Sequence, residues 1–309
     1  MYKRIQIFAS FALLVGFLFM ACAKEKVSCT EATWYKDADN DGLGDPSMSI
    51  LDCEQPAGYV SNFSDSDDTK PEGYDATVDA SILSQNIGEN YPLRIFIPKE
   101  YEDNKKLPVV YLLDGLTVYM GRTFYEDLVS YAKSIGLKAI LVAIGDKTGA
   151  DRTRDFAPAG CGGGDGKHFD NFYKFLTEEV IPFIDGKYEN DHAARTLIGF
   201  SSAGNFTNFT LFRENPDNII FHGFISIDAP GCSTSLYEEQ LNQMALPENA
   251  NLKIHLSLAE NTEVEQLYDL LAAKDFLFLK IDFKKYPQET HDSVVSPSIK
   301  RGLQFIYIL

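Results

Sequence analysis

The sequence predicts an α/β domain with a mainly parallel sheet, preceded by a small, acidic, loop-rich module. Three observations predict this. From about residue 90 onward, runs of strand character alternate with helical stretches, as a parallel sheet with crossover helices requires. The runs at 108–113 and 139–144 are apolar throughout, the pattern of strands buried on both faces. Residues 23–75 hold 13 Asp and Glu against four Lys and no Arg. With so few large aliphatics, that segment cannot build much of a core.

Taken in order, residues 1–21 read as a secretory signal. Lys3 and Arg4 precede an almost wholly apolar stretch, 8–20, which is short for a membrane-spanning helix. Phe19-Met20-Ala21-Cys22 resembles a bacterial lipoprotein cleavage box. That resemblance implies cleavage before Cys22, acylation of its thiol and a tether to the lipid bilayer. The protein would then be exported and lipid-anchored in the bacterial cell envelope, at the outer membrane, facing periplasm or exterior. Ordinary signal cleavage with a free Cys22 is the alternative. The formal net charge of −17 argues against nucleic acid as a partner.

Four further cysteines remain, Cys29, Cys53, Cys161 and Cys232, an even count that suggests disulfides in an exported chain. Pairing Cys29 with Cys53 and Cys161 with Cys232 keeps each bridge inside one expected domain, with free thiols as the alternative.

The module at 22–75 centres on Asp37-Ala-Asp39-Asn-Asp41-Gly42-Leu-Gly44-Asp45. Carboxylates at alternate positions followed by a turn glycine suit a loop that wraps a hard cation in oxygen ligands. Met48 stands where an EF-hand loop would carry its glutamate, so this is no EF-hand. The run is similar to the calcium-binding repeats of the thrombospondin type 3 kind. That resemblance implies a structural Ca2+ held by Asp37, Asp39, Asp41 and Asp45. A solvated acidic linker is the bland alternative, and 65–68 is a weaker ligand cluster.

The domain at 76–309 is expected to hold strands at 91–97, 108–113, 139–144, 221–227, 253–258 and 276–283. Helices are expected at 124–135, 169–184 and 299–308, the second with apolar residues at helical spacing. Between them, Arg195-Thr-Leu-Ile-Gly199-Phe-Ser201-Ser202-Ala203-Gly204 reads as a strand, a tight turn and a helix start. This is the shape of a nucleophile elbow, in which the turn lifts a serine Oγ clear of the sheet; a serine-rich turn with no chemistry is the alternative. Ala203 departs from the usual glycine. The Ser202 N–H opens a helix, where it can stabilise a developing oxyanion. The second oxyanion donor is assigned to the Leu116 N–H, after the Asp114-Gly115 turn.

A serine hydroxyl needs an adjacent base. Of the histidines after Ser201, His222 and His255 fall within expected strands, whereas His291 falls in a loop before the closing helix. His291 is therefore the expected base. The acid, in the order serine, acid, histidine, is expected beyond strand 253–258. Glu263 is ranked first and Glu260 second.

With these pieces assembled, the chain resembles the putative-esterase branch of the α/β-hydrolases, which includes trilactone siderophore, feruloyl and acetyl-xylan esterases and S-formylglutathione hydrolases. The resemblance covers about 84–309 and rests on LPVVYLLDG, FLTEEVIPFID, RTLIGFSSAG and the HDSVVSPSIKRGLQFIY end. It implies an α/β-hydrolase fold and a serine esterase that needs no cofactor for its chemistry. The substrate would be a small-molecule or carbohydrate-linked ester. Ile227-Asp228-Ala229-Pro230 departs from the usual Ser-Pro-Ser and is expected to alter a wall of the site. Arg152 and Arg154 read as a structural salt-bridge cluster, with binding of a substrate carboxylate or phosphate as the alternative. The alternative functions are a non-catalytic ligand-binding protein on a hydrolase scaffold and a calcium-dependent interaction protein.

Overall fold

The computed structural model describes residues 30–39, 42–63, 65, 68, 75–101, 106–145, 149–161 and 164–309. The expected signal, Cys22 and Cys29 lie outside the described residues, as does Asp41. Among the described residues no helix is long and apolar enough to cross a membrane.

The acidic module carries more regular structure than its composition suggests. Strands β1 (Ala32–Lys36), β2 (Asp45–Asp52) and β3 (Tyr59–Val60) form an antiparallel sheet in the order β2-β1-β3. Thr33, Trp34 and Tyr35 are good strand formers, and the Tyr35 ring packs on Phe63 at 5.3 Å.

The large domain begins with β4 (Ala76–Leu83) and β5 (Asn90–Ile97), then β6 (Val109–Leu112). A short hairpin, β7 (Val118–Tyr119) and β8 (Arg122–Thr123), leads into α1 (Phe124–Ser134). Thr123 starts that helix through a reciprocal capping box with Glu126. Next come β9 (Ile140–Ile144), α2 (Gly149–Phe156) and α3 (Lys167–Lys174). The last continues through a π-helical stretch, Phe175–Val180, into α4 (Ile181–Lys187). Strand β10 (Arg195–Phe200) and helix α5 (Ser202–Leu211) form the expected strand-turn-helix. The chain closes with β11 (Gly223–Ile227), α6 (Thr234–Gln243), β12 (Leu252–Leu258), α7 (Glu263–Lys274), β13 (Leu279–Lys285) and α8 (Val295–Tyr307).

The eight-stranded sheet has the order β13-β12-β11-β10-β6-β9-β5-β4. Strands β13 to β9 run parallel, and β5 and β4 add antiparallel pairs at one edge. This is the α/β-hydrolase fold. Alternation along each strand splits the core into two layers. Val109 and Tyr111 face the helices α2 to α7, with Phe156, Phe172 and Phe206 beyond them. Val110 and Leu112 face α1 and α8, with Leu128, Ile299 and Leu303 beyond.

The expected strand 276–283 is shifted to Leu279–Lys285, because residues 276–279 form a turn in which the Leu279 N–H donates to the Phe276 carbonyl at 3.1 Å. Helix α7 was not expected. Its first residue is Glu263, which the sequence places in a loop. Cys161 and Cys232 form a disulfide, as the within-domain pairing expects. Cys53 is also disulfide-bonded.

Candidate active site

In a parallel sheet the carboxyl ends of the strands offer a crevice where the strand order turns back on itself. Here that point lies at β6 and β10, neighbours in space with β9 on the far side of β6. The loop after β6 carries Asp114, Gly115 and Leu116. The turn after β10 carries Ser201.

Ser201 sits at φ 56° and ψ −124°, a conformation that L-residues avoid. Two features hold it there. Its N–H donates to the Ile227 carbonyl at 2.9 Å, and its own carbonyl accepts from Gly204 at 2.8 Å. Gly199 gives the room, since a Cβ at that position would lie 2.0 Å from the Ala203 carbonyl oxygen. Gly204 lies against Ala229, where a Cβ would approach to 3.0 Å. The tight contacts of the elbow therefore fall at 199 and 204, and Ala203 is fully buried in its place.

His291 lines the same cleft as Ser201, a space of about 430 Å³. Its ring lies 4.5 Å from that of Phe200, the residue before the serine. The carboxylate that meets it is Asp228. His291 Nδ1 lies 2.5 Å from Asp228 Oδ2. With Nδ1 so engaged, Nε2 is the nitrogen left to act.

The expected acids Glu263 and Glu260 are therefore corrected to Asp228. Glu263 opens α7 and packs under Gly231, where an added Cβ would meet its own Cβ at 2.2 Å. The loop expected to supply the acid instead supplies its cradle. Asp228 Oδ1 accepts the N–H groups of Ala259, Glu260 and Asn261 at 2.7, 3.2 and 3.1 Å. Asn261 Nδ2 donates to the Asp228 carbonyl at 2.7 Å. Asp228 is fully buried, at φ 44°. Burial pushes its pKa up, but the hydrogen bonds from His291 and from the loop amides outweigh burial and hold it below the ordinary carboxylate range. The one sequence signal is the Ile227-Asp228-Ala229-Pro230 departure, expected only to alter a wall of the site.

Leu116 lies between two turn residues with engaged amides. The Gly115 N–H goes to the Ile144 carbonyl and the Thr117 N–H to Asp114. Ser202 is the first residue of α5, where an N–H has no acceptor within the helix. Arg152 braces the elbow, with Nε on Asp114 at 2.5 Å and Nη2 on the Phe200 carbonyl at 2.7 Å. Arg154 pairs with Asp155, which also accepts the Tyr91 hydroxyl at 2.8 Å. The structural reading of both arginines holds.

In the acidic module, Asp37, Asp39 and Asp68 bring carboxylate oxygens within 4.8 Å of one another. Asp45 does not join them. It starts β2, and its Oδ1 accepts the Ser47 N–H at 2.6 Å. Asp68 takes its place because the chain folds back on the loop, with the Asp65 N–H on the Gly44 carbonyl and the Ala38 N–H on Asp68.

A family model described as "Putative esterase" matches residues 84–264. The chain belongs to this esterase family. It is 24% identical over 255 residues to the ferri-bacillibactin esterase BesA of Bacillus subtilis (strain 168), spanning 72% of this chain and 87% of BesA. Among solved structures it is similar to the BES protein from Bacillus cereus, with a TM-score of 0.60 and 22% identity over 75% of this chain and 95% of that one. An IroE-like serine hydrolase from Shewanella oneidensis gives a TM-score of 0.59 and 21% identity over 74% of this chain and 79% of the other. This esterase thus shares the fold of those proteins.

Proposed function

We propose that this esterase is an exported, membrane-anchored serine hydrolase that cleaves small-molecule carboxylic esters through Ser201, His291 and Asp228. The observation that carries the reading is His291 held by buried Asp228 in the cleft that Ser201 enters. Ser201 Oγ attacks the ester carbonyl while His291 Nε2 takes its proton. Asp228 orients the ring and stabilises the imidazolium. The Leu116 and Ser202 amides receive the oxyanion. The tetrahedral intermediate collapses, the C–O bond to the alcohol breaks, and the imidazolium returns the proton to the leaving alkoxide. Water, deprotonated by the same nitrogen, then attacks the acyl-enzyme and frees the acid and Ser201. No cofactor takes part.

The names of the relatives make siderophore esters candidate substrates of this small-molecule class. Residues 1–21 act as the signal and Cys22 as the lipid anchor in this reading. A calcium ion fits the carboxylates of Asp37, Asp39 and Asp68 as a structural ion of the 22–75 module.

The test is hydrolysis of short-chain p-nitrophenyl esters by the purified protein beside Ser201→Ala and His291→Ala. Turnover that falls by orders of magnitude in both variants supports the reading. A wild type no faster than the variants, and inert to a fluorophosphonate probe, leaves a binding protein instead. Chelation that left both the melting temperature and the protease resistance of the 22–75 module unchanged would remove calcium from the account.

A further inference from the structure

Given the lipid-anchored reading above, on which this rests, we infer that strand β2 of the acidic module is a bilayer contact, with Met48, Ile50, Leu51 and Trp34 resting on the surface of a zwitterionic membrane. The juxtaposition behind it is an uncharged, apolar strand edge at the end of the small sheet where the anchored chain enters.

Strand β2 is an outer strand of its sheet, and every residue from Pro46 to Asp52 is exposed. Met48, Ile50 and Leu51 are 46%, 38% and 65% exposed. Between Asp45 and Asp52 no residue is charged, although residues 23–75 hold 13 Asp and Glu. An exposed apolar run in so acidic a module marks a contact surface. Trp34 pairs with Ile50 across the ladder, so the two side chains stand on one face. Its indole N–H donates to the Asp52 carbonyl at 3.2 Å. A tryptophan with its polar end engaged and its ring beside apolar neighbours suits the membrane–water interface. The free edge of β2 bounds the depth. Hydrocarbon could not satisfy its backbone N–H and C=O groups, so the strand lies among headgroups and not among the chains.

Topology makes the occupant a bilayer. Strand β1 runs from Ala32 to Lys36 and passes directly into the loop at Asp37. That loop faces the large domain. Lys187, the last residue of α4, is drawn by the charges of Asp37 and Asp39, and a Cβ on Gly42 would lie 3.9 Å from the Thr77 carbonyl oxygen. The pairs Ala32–Asp52, Thr33–Leu51 and Trp34–Ile50 therefore form the other end of the sheet, away from the domain. The chain from Cys22 arrives at this same end. Ala32 is ten residues past Cys22, a reach of at most about 35 Å. An acylated Cys22 thus keeps Ile50 and Leu51 close to lipid. The 13 acids of the module, against four Lys, disfavour anionic headgroups and leave zwitterionic ones.

The same placement leaves the cleft in water. Asp185 of α4 accepts from Arg195, the first residue of β10, at 2.6 Å, so the module sits by the amino ends of the parallel strands. Ser201 follows the carboxyl end of β10, about 20 Å further along.

The chain has one tryptophan, which makes Trp34 the probe. The acylated protein is reconstituted into phosphatidylcholine–phosphatidylethanolamine vesicles, part of whose phosphatidylcholine is brominated on its acyl chains near the headgroup. Trp34 should lose roughly half of its emission relative to unbrominated vesicles, because its ring lies at interfacial depth. Met48→Ser/Ile50→Ser/Leu51→Ser should still float with the vesicles through Cys22, yet lose most of that quenching. The same three changes in a soluble Cys22→Ser protein should leave Trp34 emission unaltered, which checks that the sheet stays folded. Protein that floats with Trp34 unquenched, or quenching that the triple variant leaves intact, overturns the inference while the anchor stands. An unquenched Trp34 together with a dimer that the triple variant splits on gel filtration puts a second copy of the chain on β2 instead. Protein that neither floats with vesicles nor carries an acyl group on Cys22 overturns the anchor, and this inference with it.

Discussion

Two histidine–aspartate pairs in the domain have nearly the same contact and opposite surroundings. In one, His291 Nδ1 meets Asp228 Oδ2 at 2.5 Å. In the other, His255 Nδ1 meets Asp282 Oδ2 at 2.7 Å. His255 and Asp282 face each other in register on β12 and β13, and Arg301 grips the same carboxylate with two bonds of 2.8 and 2.6 Å. The His255 side chain is wholly buried, and its Nε2 has no hydrogen-bond partner. His291 is a third exposed and opens onto the cleft of Ser201. The contact alone therefore makes no base. A base also needs a reachable Nε2 and a nucleophile in front of it.

The largest expected effect tests the acid. Asp228→Asn should lower kcat by about 10⁴-fold, since the imidazole is then held in the wrong tautomer. Glu263→Gln and Glu260→Gln should leave kcat essentially unchanged. Loss of activity on changing Glu263, with Asp228→Asn active, would reverse the assignment.

Next comes the crosslink near that acid. Cys161 and Cys232 are 71 residues apart in sequence. Replacing both by alanine should cost about 4 kcal/mol in urea unfolding. The folded remainder should keep its turnover, because Asp228 is held by the 259–261 amides and not by the disulfide. Turnover that vanished below the unfolding transition would show that the crosslink sets the acid.

His255→Ala probes the other pair. Removing the buried ring and its hydrogen bond to the Asp282 carboxylate should cost about 2 to 3 kcal/mol, and kcat for the folded fraction should not change. A large drop in kcat without destabilisation would give His255 a role in the chemistry.

The smallest effect is a pH dependence. Burial holds the His255 pKa below the ordinary histidine range, against the pull of Asp282. As pH falls through about 6.5, the unfolded chain takes up a proton that the folded chain refuses. This one group should then erode stability by at most about 1.4 kcal/mol per pH unit. Asp282 follows at lower pH. Burial raises its pKa, but His255 and Arg301 outweigh that and bring it to about 2, from 3.8. Its share of stability is present above 3.8 and is lost as pH falls through about 2. Melting temperatures from pH 8 to 4 should show the first slope, and His255→Ala should flatten it.

Much of the site was legible because it depends on short-range pattern. Gly199-Phe-Ser-Ser-Ala-Gly204 announces an elbow, since the turn tolerates only small residues where Gly199 meets the Ala203 carbonyl. His291 was legible from its loop position before the last helix. The apolar runs at β6 and β9 gave a parallel sheet, because strands covered on both faces must be apolar throughout. Helix α2, GADRTRDF, was missed because its polar composition carries no apolar stripe. The carboxylate cluster of Asp37, Asp39 and Asp68 is not legible in the sequence, since Asp68 reaches the loop only through a fold-back that no local spacing records.

The sequence by itself determined the fold class, singled out Ser201 and His291 as the candidate nucleophile and base, and offered the pairing of Cys161 with Cys232 beside free thiols. Only the tertiary structure brought a carboxylate, Asp228, to His291. Asp228 and the 259–263 loop leave neighbouring parallel strands, β11 and β12, whose axes lie about 5 Å apart. Both come after Ser201 and before His291, so chain order fits either. What separates them is direction: one loop turns its carboxylate to His291, and the other turns its backbone N–H groups to that carboxylate.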